Sequence, residues 1–243
     1  MDNLFNSWLV EEPIASKGIY DKAHPENSLS AFGKAIDCGY PIALNVQMIA
    51  DGTIVVFDDD SLSRLTDNDG YLKFLNKSDL DLLHLSGSKE KIPTLQEALN
   101  FIDGRVPVLI EIKNLDKVGN FEKGVIEILK EYKGEVAVAS LNPYVLEYFY
   151  KHAPNILRGQ ISGYFCGQKL PHFKKYGLKR MIFNKKVSRP HFICYEASRL
   201  PNRFVKKYKT LPLLAWTVKS QSEYVKVVKY CDNVIFEHFE PII

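Results

Sequence analysis

What most constrains this chain is a rhythm. Short apolar runs alternate with segments of helical periodicity about eight times along its length. The first run is Pro13-Ile14-Ala15. Ser28 then offers a helix N-cap, and Leu29, Phe32, Ala35 and Ile36 follow at helical spacing. Gly39 is a stop signal, and Ile42 to Met48 reads as a strand. Asp51-Gly52 is a turn, with a β-branched strand from Thr53 to Phe57 behind it. Residues 58–92 are polar and irregular, with a short helix expected from Lys77 to Leu85. Thr94 and Glu97 form a capping box for a helix from Leu95 to Ile102. Val106 to Ile112 is a nearly continuous apolar strand, broken only by Glu111.

The pattern continues with a helix from Phe121 to Tyr132 and a strand from Glu135 to Ala139. Asn142-Pro143 opens a helix that runs to His152. Strands are expected at Ile156 to Gln160, Phe192 to Tyr195, Leu211 to Val218 and Val234 to Phe236. Helical segments are expected at Asn202 to Lys209 and Ser220 to Tyr230, while residues 169–189 have no clear period. Strands that alternate with helices pair in parallel, and apolar runs without alternation suit strands buried on both faces. Eight such strands in 243 residues fit a (β/α)₈ TIM barrel. A doubly wound open sheet is the competing fold, although no Gly-x-Gly-x-x-Gly follows any strand. The expected organisation is one barrel over residues 1–243, with a small insertion after strand two at 49–92.

The formal charge is +3. With both signs taken as mixed along the chain, there is no strong case for nucleic acid, and only a weak attraction to anionic substrates or a membrane surface. Cys38, Cys166, Cys194 and Cys231 match neither a zinc pattern nor a disulfide framework. They read as reduced core thiols of a cytoplasmic protein. Met1-Asp2-Asn3-Leu4-Phe5 has no features of a signal peptide, and no apolar run is long enough to cross a bilayer. Oligomeric state is not legible.

In a barrel of this kind, chemistry sits at the C-terminal ends of the strands and in the loops beyond them. Those positions hold Ser16, Lys17, Asn45 and Gln47, then Asp58, Asp59 and Asp60, then Glu111 and Lys113. Later strands place Arg158 and Gln160, Glu196, Trp216 and Glu237 there. Glu111 and Lys113 share one strand face, so they are expected either to pair with each other or to serve an anion or metal site. The Asp58-Asp59-Asp60 triplet is either a solvated turn or a cation loop. Trp216 either packs at the core edge or walls a ligand. Of the six histidines only His24 is placed to reach the barrel mouth.

From Pro13 to about Phe239 the chain resembles bacterial glycerophosphodiester phosphodiesterases. The resemblance is carried by Pro25-Glu26-Asn27-Ser28-Leu29, Asp51-Gly52, Val55-Val56-Phe57 and Arg64-Leu65-Thr66. It continues through Ile92-Pro93-Thr94-Leu95, Leu109-Ile110-Glu111-Ile112-Lys113, Trp216-Thr217-Val218 and Asp232 to Glu237. The resemblance implies a (β/α)₈ barrel with an insertion after strand two. It also implies metal-dependent hydrolysis of glycerophosphodiesters to an alcohol and glycerol 3-phosphate.

The departures fall on that chemistry. The family's His-Arg-Gly is Ser16-Lys17-Gly18 here, its Glu-Leu-Asp is Ala43-Leu44-Asn45, and its His-Asp is Asp58-Asp59. Glu-Ile-Lys is intact as Glu111-Ile112-Lys113. Both positions of the acid–base histidines are thus lost, and Ser16 cannot exchange protons near neutral pH. Asn45, Asp58 and Glu111 remain as an incomplete oxygen set that holds Mg²⁺ or Ca²⁺ weakly at most, so no cofactor is expected. Lys17, Glu111, Lys113 and Trp216 are the expected ligand-binding residues, for a small anion or phosphodiester. Three readings stay open: an inactive binding barrel, an active hydrolase with a rearranged site, and a non-catalytic interaction protein.

Overall fold

The structure is a computed structural model that describes residues 4–166 and 170–242. Met1-Asp2-Asn3, residue 169 and Ile243, all covered by the expectations above, lie outside the described residues. The strands are β1 Ile14–Ser16, β2 Ile42–Met48, β3 Ile54–Val56, β4 Val108–Ile112 and β5 Val136–Ser140, followed by β6 Leu157–Ser162, β7 Phe192–Glu196, β8 Leu213–Val218 and β9 Asn233–Phe236. The helices are α1 Trp8–Glu11, α2 Leu29–Asp37, α3 Lys77–Leu80, α4 Leu95–Ile102 and α5 Asn120–Glu131, then α6 Pro143–His152, α7 His172–Arg180 and α8 Gln221–Val227. Eight parallel strands with intervening helices make this a (β/α)₈ barrel fold, and β3 is an added antiparallel strand. No helix among the described residues is long and apolar enough to cross a membrane.

The chain divides into two compact units, one of residues 15–136 and one of residues 1–14 with 137–243. In the first, β2 lies parallel to β1 and β4, and antiparallel to β3. The register sets Asn45 directly beside Glu111. The segment read as an insertion is not merely a polar loop. Phe57, Leu62, Leu65, Leu72, Leu80 and Leu85 close over a small apolar core of their own, so the polar residues are its outer skin. Its helix is a single turn, Lys77–Leu80, shorter than the expected Lys77 to Leu85, and Asp79 caps its start by accepting from the Asn76 amide. The second unit is a run of parallel strands from β5 to β9. Residues 169–189, without a clear period, contain α7 and a π-turn at Asn184–Ser188.

Other expectations need correction. The sixth strand starts and ends later than read, so Arg158 sits near its N-terminal end, where it donates to the Pro154 and Ile156 carbonyls. The expected helix at Asn202 to Lys209 is one 3₁₀ turn, Val205–Tyr208. The thiols are not all core: Cys38 and Cys166 are exposed, and only Cys194 is fully buried.

One backbone feature positions the site. After β1 the chain turns with φ 62° at Lys17 and φ 80° at Gly18. A Cβ on Gly18 would lie 2.6 Å from the Ala31 carbonyl carbon and oxygen. Only glycine lets the loop press against the first turn of α2, which Ser28 caps by accepting from the Ala31 amide. Gly18→Ala is expected to cost about 2 kcal/mol from the left-handed φ and the clash, lowering Tm by about 6 °C, as read by thermal unfolding.

Candidate functional site

Two lysines and two carboxylates meet in the first unit. The turn at Lys17 points its ammonium at Glu26 Oε1, 2.8 Å away, and at Asp58 Oδ2, 2.7 Å away. Asp58 follows β3, and its other oxygen, Oδ1, lies 2.5 Å from Lys113 Nζ. One carboxylate therefore bridges two ammonium groups. Lys113 donates to the Asp58 carbonyl as well. Gln47 fixes the end of the hairpin by donating to the carbonyls of Phe57, Asp58 and Asp59.

A second layer surrounds this bridge. Arg64 grips Glu26 with two parallel bonds of 2.9 Å and also pairs with Asp59. Paired N–H donors on two carboxylate oxygens match the geometry that guanidinium favours. Asn27 donates to Asn45 Oδ1, and Asn45 Nδ2 donates to Glu111 Oε2 at 2.9 Å.

Charge states follow from these contacts. Burial pushes the Lys17 and Lys113 pKa values down, but the carboxylates beside them win, and both end above the ordinary lysine value. Asp58 is the converse: burial raises its pKa, but Lys113 and Lys17 hold it well below the carboxylate range. Glu26 is lowered as well, since Arg64 and Lys17 outweigh its burial. Glu111 is raised by desolvation, even with Lys113 and Lys17 pulling the other way.

The expected residues Lys17, Asn45, Asp58, Glu111 and Lys113 are thus brought together, but in altered pairings. The anticipated Glu111–Lys113 ion pair does not form: Lys113 takes Asp58 across the hairpin, and Glu111 takes its ladder neighbour Asn45. Within the Asp58-Asp59-Asp60 triplet, Asp58 pairs with the two lysines and, at 3.9 Å, with Arg64, which also holds Asp59, so these two carboxylates face cations of the chain. Among the described residues, no group of three His, Cys, Asp or Glu is placed to hold a metal ion. His24 stays at the surface, 2.9 Å from Asp21. Ser16 ends β1 beside Ala43.

Glu26 and Arg64 were not picked out as site residues. Glu26 sits in a loop that reads as a helix entry, and Arg64 in a stretch that reads as an insertion. The usable signal was that a buried Glu is rare without a basic partner.

Trp216 belongs to the other unit. Its ring packs 6.0 Å from that of Phe165, and with Glu196, Lys219 and Tyr230 it lines a cavity of about 480 Å³. Trp216 thus packs against Phe165 and borders a cavity. Its indole nitrogen is buried and has no hydrogen-bond partner among the described residues.

The sequence model of the glycerophosphoryl diester phosphodiesterase family matches residues 20–239. The chain belongs to this family. A glycerophosphodiester phosphodiesterase of Caldanaerobacter subterraneus subsp. tengcongensis is 34% identical over 187 residues, covering 70% of this chain and 76% of that protein. Among solved structures, a phosphodiesterase of Oleispira antarctica, in complex with the product sn-glycerol-3-phosphate, superposes with a TM-score of 0.78. That match is 24% identical and covers 94% of this chain and 93% of the other. A glycerophosphodiester phosphodiesterase of Thermotoga maritima gives a TM-score of 0.72 at 24% identity, over 93% and 94% of the two chains. These likenesses carry the barrel fold.

One consequence for stability concerns Glu111 of this phosphodiesterase-family chain. A carboxyl whose folded pKa is raised contributes most below its unfolded pKa of about 4.3, and loses that contribution as pH rises through the folded value. Glu111→Gln keeps an acceptor for Asn45 and removes the charge. The variant is expected to melt about 3 °C above the parent at pH 7, with the difference vanishing near pH 4. A difference that grows toward acid would contradict this.

Proposed function

We propose that this chain is a phosphodiesterase-family barrel that binds a phosphate monoester or diester at Lys17 and Lys113 without hydrolysing it. The observation that carries the reading is the Asp58 bridge between the two ammonium groups. Family chemistry needs groups that gain and lose a proton near neutral pH, and here those two positions hold Ser16 and an Asp58 locked in its anionic form. Neither can protonate a leaving alkoxide. Two lysines held charged are instead suited to an anion.

The oxygen set does not fit a resident Mg²⁺ or Ca²⁺. Such ions take several oxygen ligands, with carboxylates setting the affinity. Asn45 turns its amide nitrogen toward Glu111, and both Asp58 oxygens are taken by ammonium groups. Ala43 offers no oxygen. That the Oleispira relative holds sn-glycerol-3-phosphate makes this the first ligand to try.

The test is hydrolysis of glycerophosphocholine and of bis-p-nitrophenyl phosphate with Mg²⁺, Ca²⁺ or Mn²⁺, alongside calorimetric titration with glycerol 3-phosphate. The expected result is heat of binding that Lys17→Ala weakens about tenfold, and turnover no faster than buffer. Turnover that Glu111→Ala abolishes would establish a working metal site and defeat the proposal.

A further inference from the structure

The charges of this chain are not evenly mixed. Residues 148–222 hold 16 Lys and Arg and a single carboxylate, Glu196. The rest of the chain holds 16 Lys and Arg against 28 Asp and Glu. A net charge of +3 thus hides a basic stretch within an otherwise acidic chain.

The fold gathers the basic residues of the second unit. The end of α7 and the 3₁₀ turn Val205–Tyr208 lie side by side. Tyr208 donates its hydroxyl to the Met181 carbonyl at 2.9 Å, and the Arg180 guanidinium sits 5.7 Å from the centre of the Phe204 ring. Beneath them Met181, Tyr195, Phe204 and Val205 share one apolar cluster. In or beside these two segments and in the π-turn that follows α7, Arg180, Lys185, Lys186, Arg203, Lys206 and Lys207 are all exposed. Among the described residues none of the six has a carboxylate partner. Exposed apolar side chains belong to the same segment: Ile182, two residues past Arg180, is 56% exposed, and Phe173, one turn before Tyr176 on α7, is 70% exposed.

We propose that this face docks on an anionic lipid bilayer, with the lysines and arginines on the headgroups and Phe173 and Ile182 entering the interface. Like-signed charge without internal counter-ions attracts an anionic surface, and projecting apolar groups add burial that a purely electrostatic contact lacks. Single-stranded nucleic acid shares the charge but needs open aromatic faces for its bases. Here three of the rings beside the patch already carry cations: Arg180 lies over Tyr176, Arg189 over Tyr150, and Arg203 over Phe204, which leaves Phe173 as a single open ring where a strand needs a series of them. Ile182 has no ring to offer. The observations favour the membrane.

The experiment is flotation of the full chain with vesicles of phosphatidylcholine alone, or of phosphatidylcholine with phosphatidylglycerol, at low and high salt. Binding is expected to the anionic vesicles only, and to fall with salt. Lys185→Glu, Lys186→Glu, Lys206→Glu and Lys207→Glu together are expected to weaken it by more than about a hundredfold, at roughly fivefold for each cation lost. Phe173→Ser with Ile182→Ser is expected to weaken it several-fold and to leave a remainder that salt abolishes. Both variants are checked for an unchanged Tm. Three results overturn the proposal: no flotation at low salt, equal flotation with neutral vesicles, or tighter binding to a fluorescent single-stranded oligonucleotide under the same conditions. Glycerol 3-phosphate titration of the quadruple variant separates this face from the Lys17–Lys113 site, whose affinity is expected to stay the same.

Discussion

Asp58→Asn is expected to tighten glycerol 3-phosphate binding about thirtyfold while lowering the stability of the ligand-free protein. The carboxylate is the internal counter-ion of both Lys17 and Lys113, at 2.7 and 2.5 Å, so an incoming phosphate competes with it. Unit charges about 4 Å apart interact by roughly 4 kcal/mol at the effective dielectric of a protein surface. A repulsion of that order between Asp58 and a bound phosphate disappears in the variant, and about 2 kcal/mol of it is expected to survive rearrangement and solvent. Two lysines then face each other with less compensation, so the free protein loses about 2 kcal/mol. Ligand should restore the loss through mass action, because it binds only the folded state. Calorimetry gives the affinity and thermal unfolding with and without ligand gives the stability. Unchanged affinity in the variant would mean that the lysines serve the fold and not a ligand.

Glu26→Ala is expected to be the most destabilising single change in the site, at about 3 kcal/mol. Glu26 is only 7% exposed and receives three charge-assisted bonds, two from Arg64 and one from Lys17. Its removal leaves a void and orphans donors of two cations. Glu26→Gln, which keeps the shape, is expected to lose about half as much. The pH dependence has a definite sign. A carboxyl with a depressed folded pKa contributes fully above its unfolded value, about 4, and the contribution fades as pH falls through the folded value. The gap in Tm between parent and Glu26→Ala should therefore be widest near neutral pH and close in strong acid. A gap independent of pH would assign the loss to packing alone.

The barrel was legible because its signals are local. Thr94 with Glu97, and Asn142 with Pro143, mark helix starts through contacts within one turn, and those contacts are present. Apolar runs such as Val108–Ile112 mark buried strands without knowledge of any partner. The basic turn Val205–Tyr208 and the π-turn Asn184–Ser188 were not legible, since long-range packing around Met181 and Phe204 sets them. The site follows the same division. Lys17, Asp58, Glu111 and Lys113 could be picked by position on their strands. Which cation meets which carboxylate could not, because i, i+2 neighbours on a strand give way to groups brought across a hairpin. Arg64 and Glu26 are separated by 38 residues, and no sequence period joins them.

The chain has two tryptophans, and the fold gives them different surroundings. Trp8 is sealed in the core at 6% exposure, whereas Trp216 is half-buried on the wall of the 480 Å³ cavity, its indole nitrogen lacking a partner among the described residues. The molecule therefore carries its own optical gauge. Trp8 is not among the residues lining that cavity, so a guest entering it is expected to act on the emission through Trp216, and occupancy can be followed by fluorescence without a label.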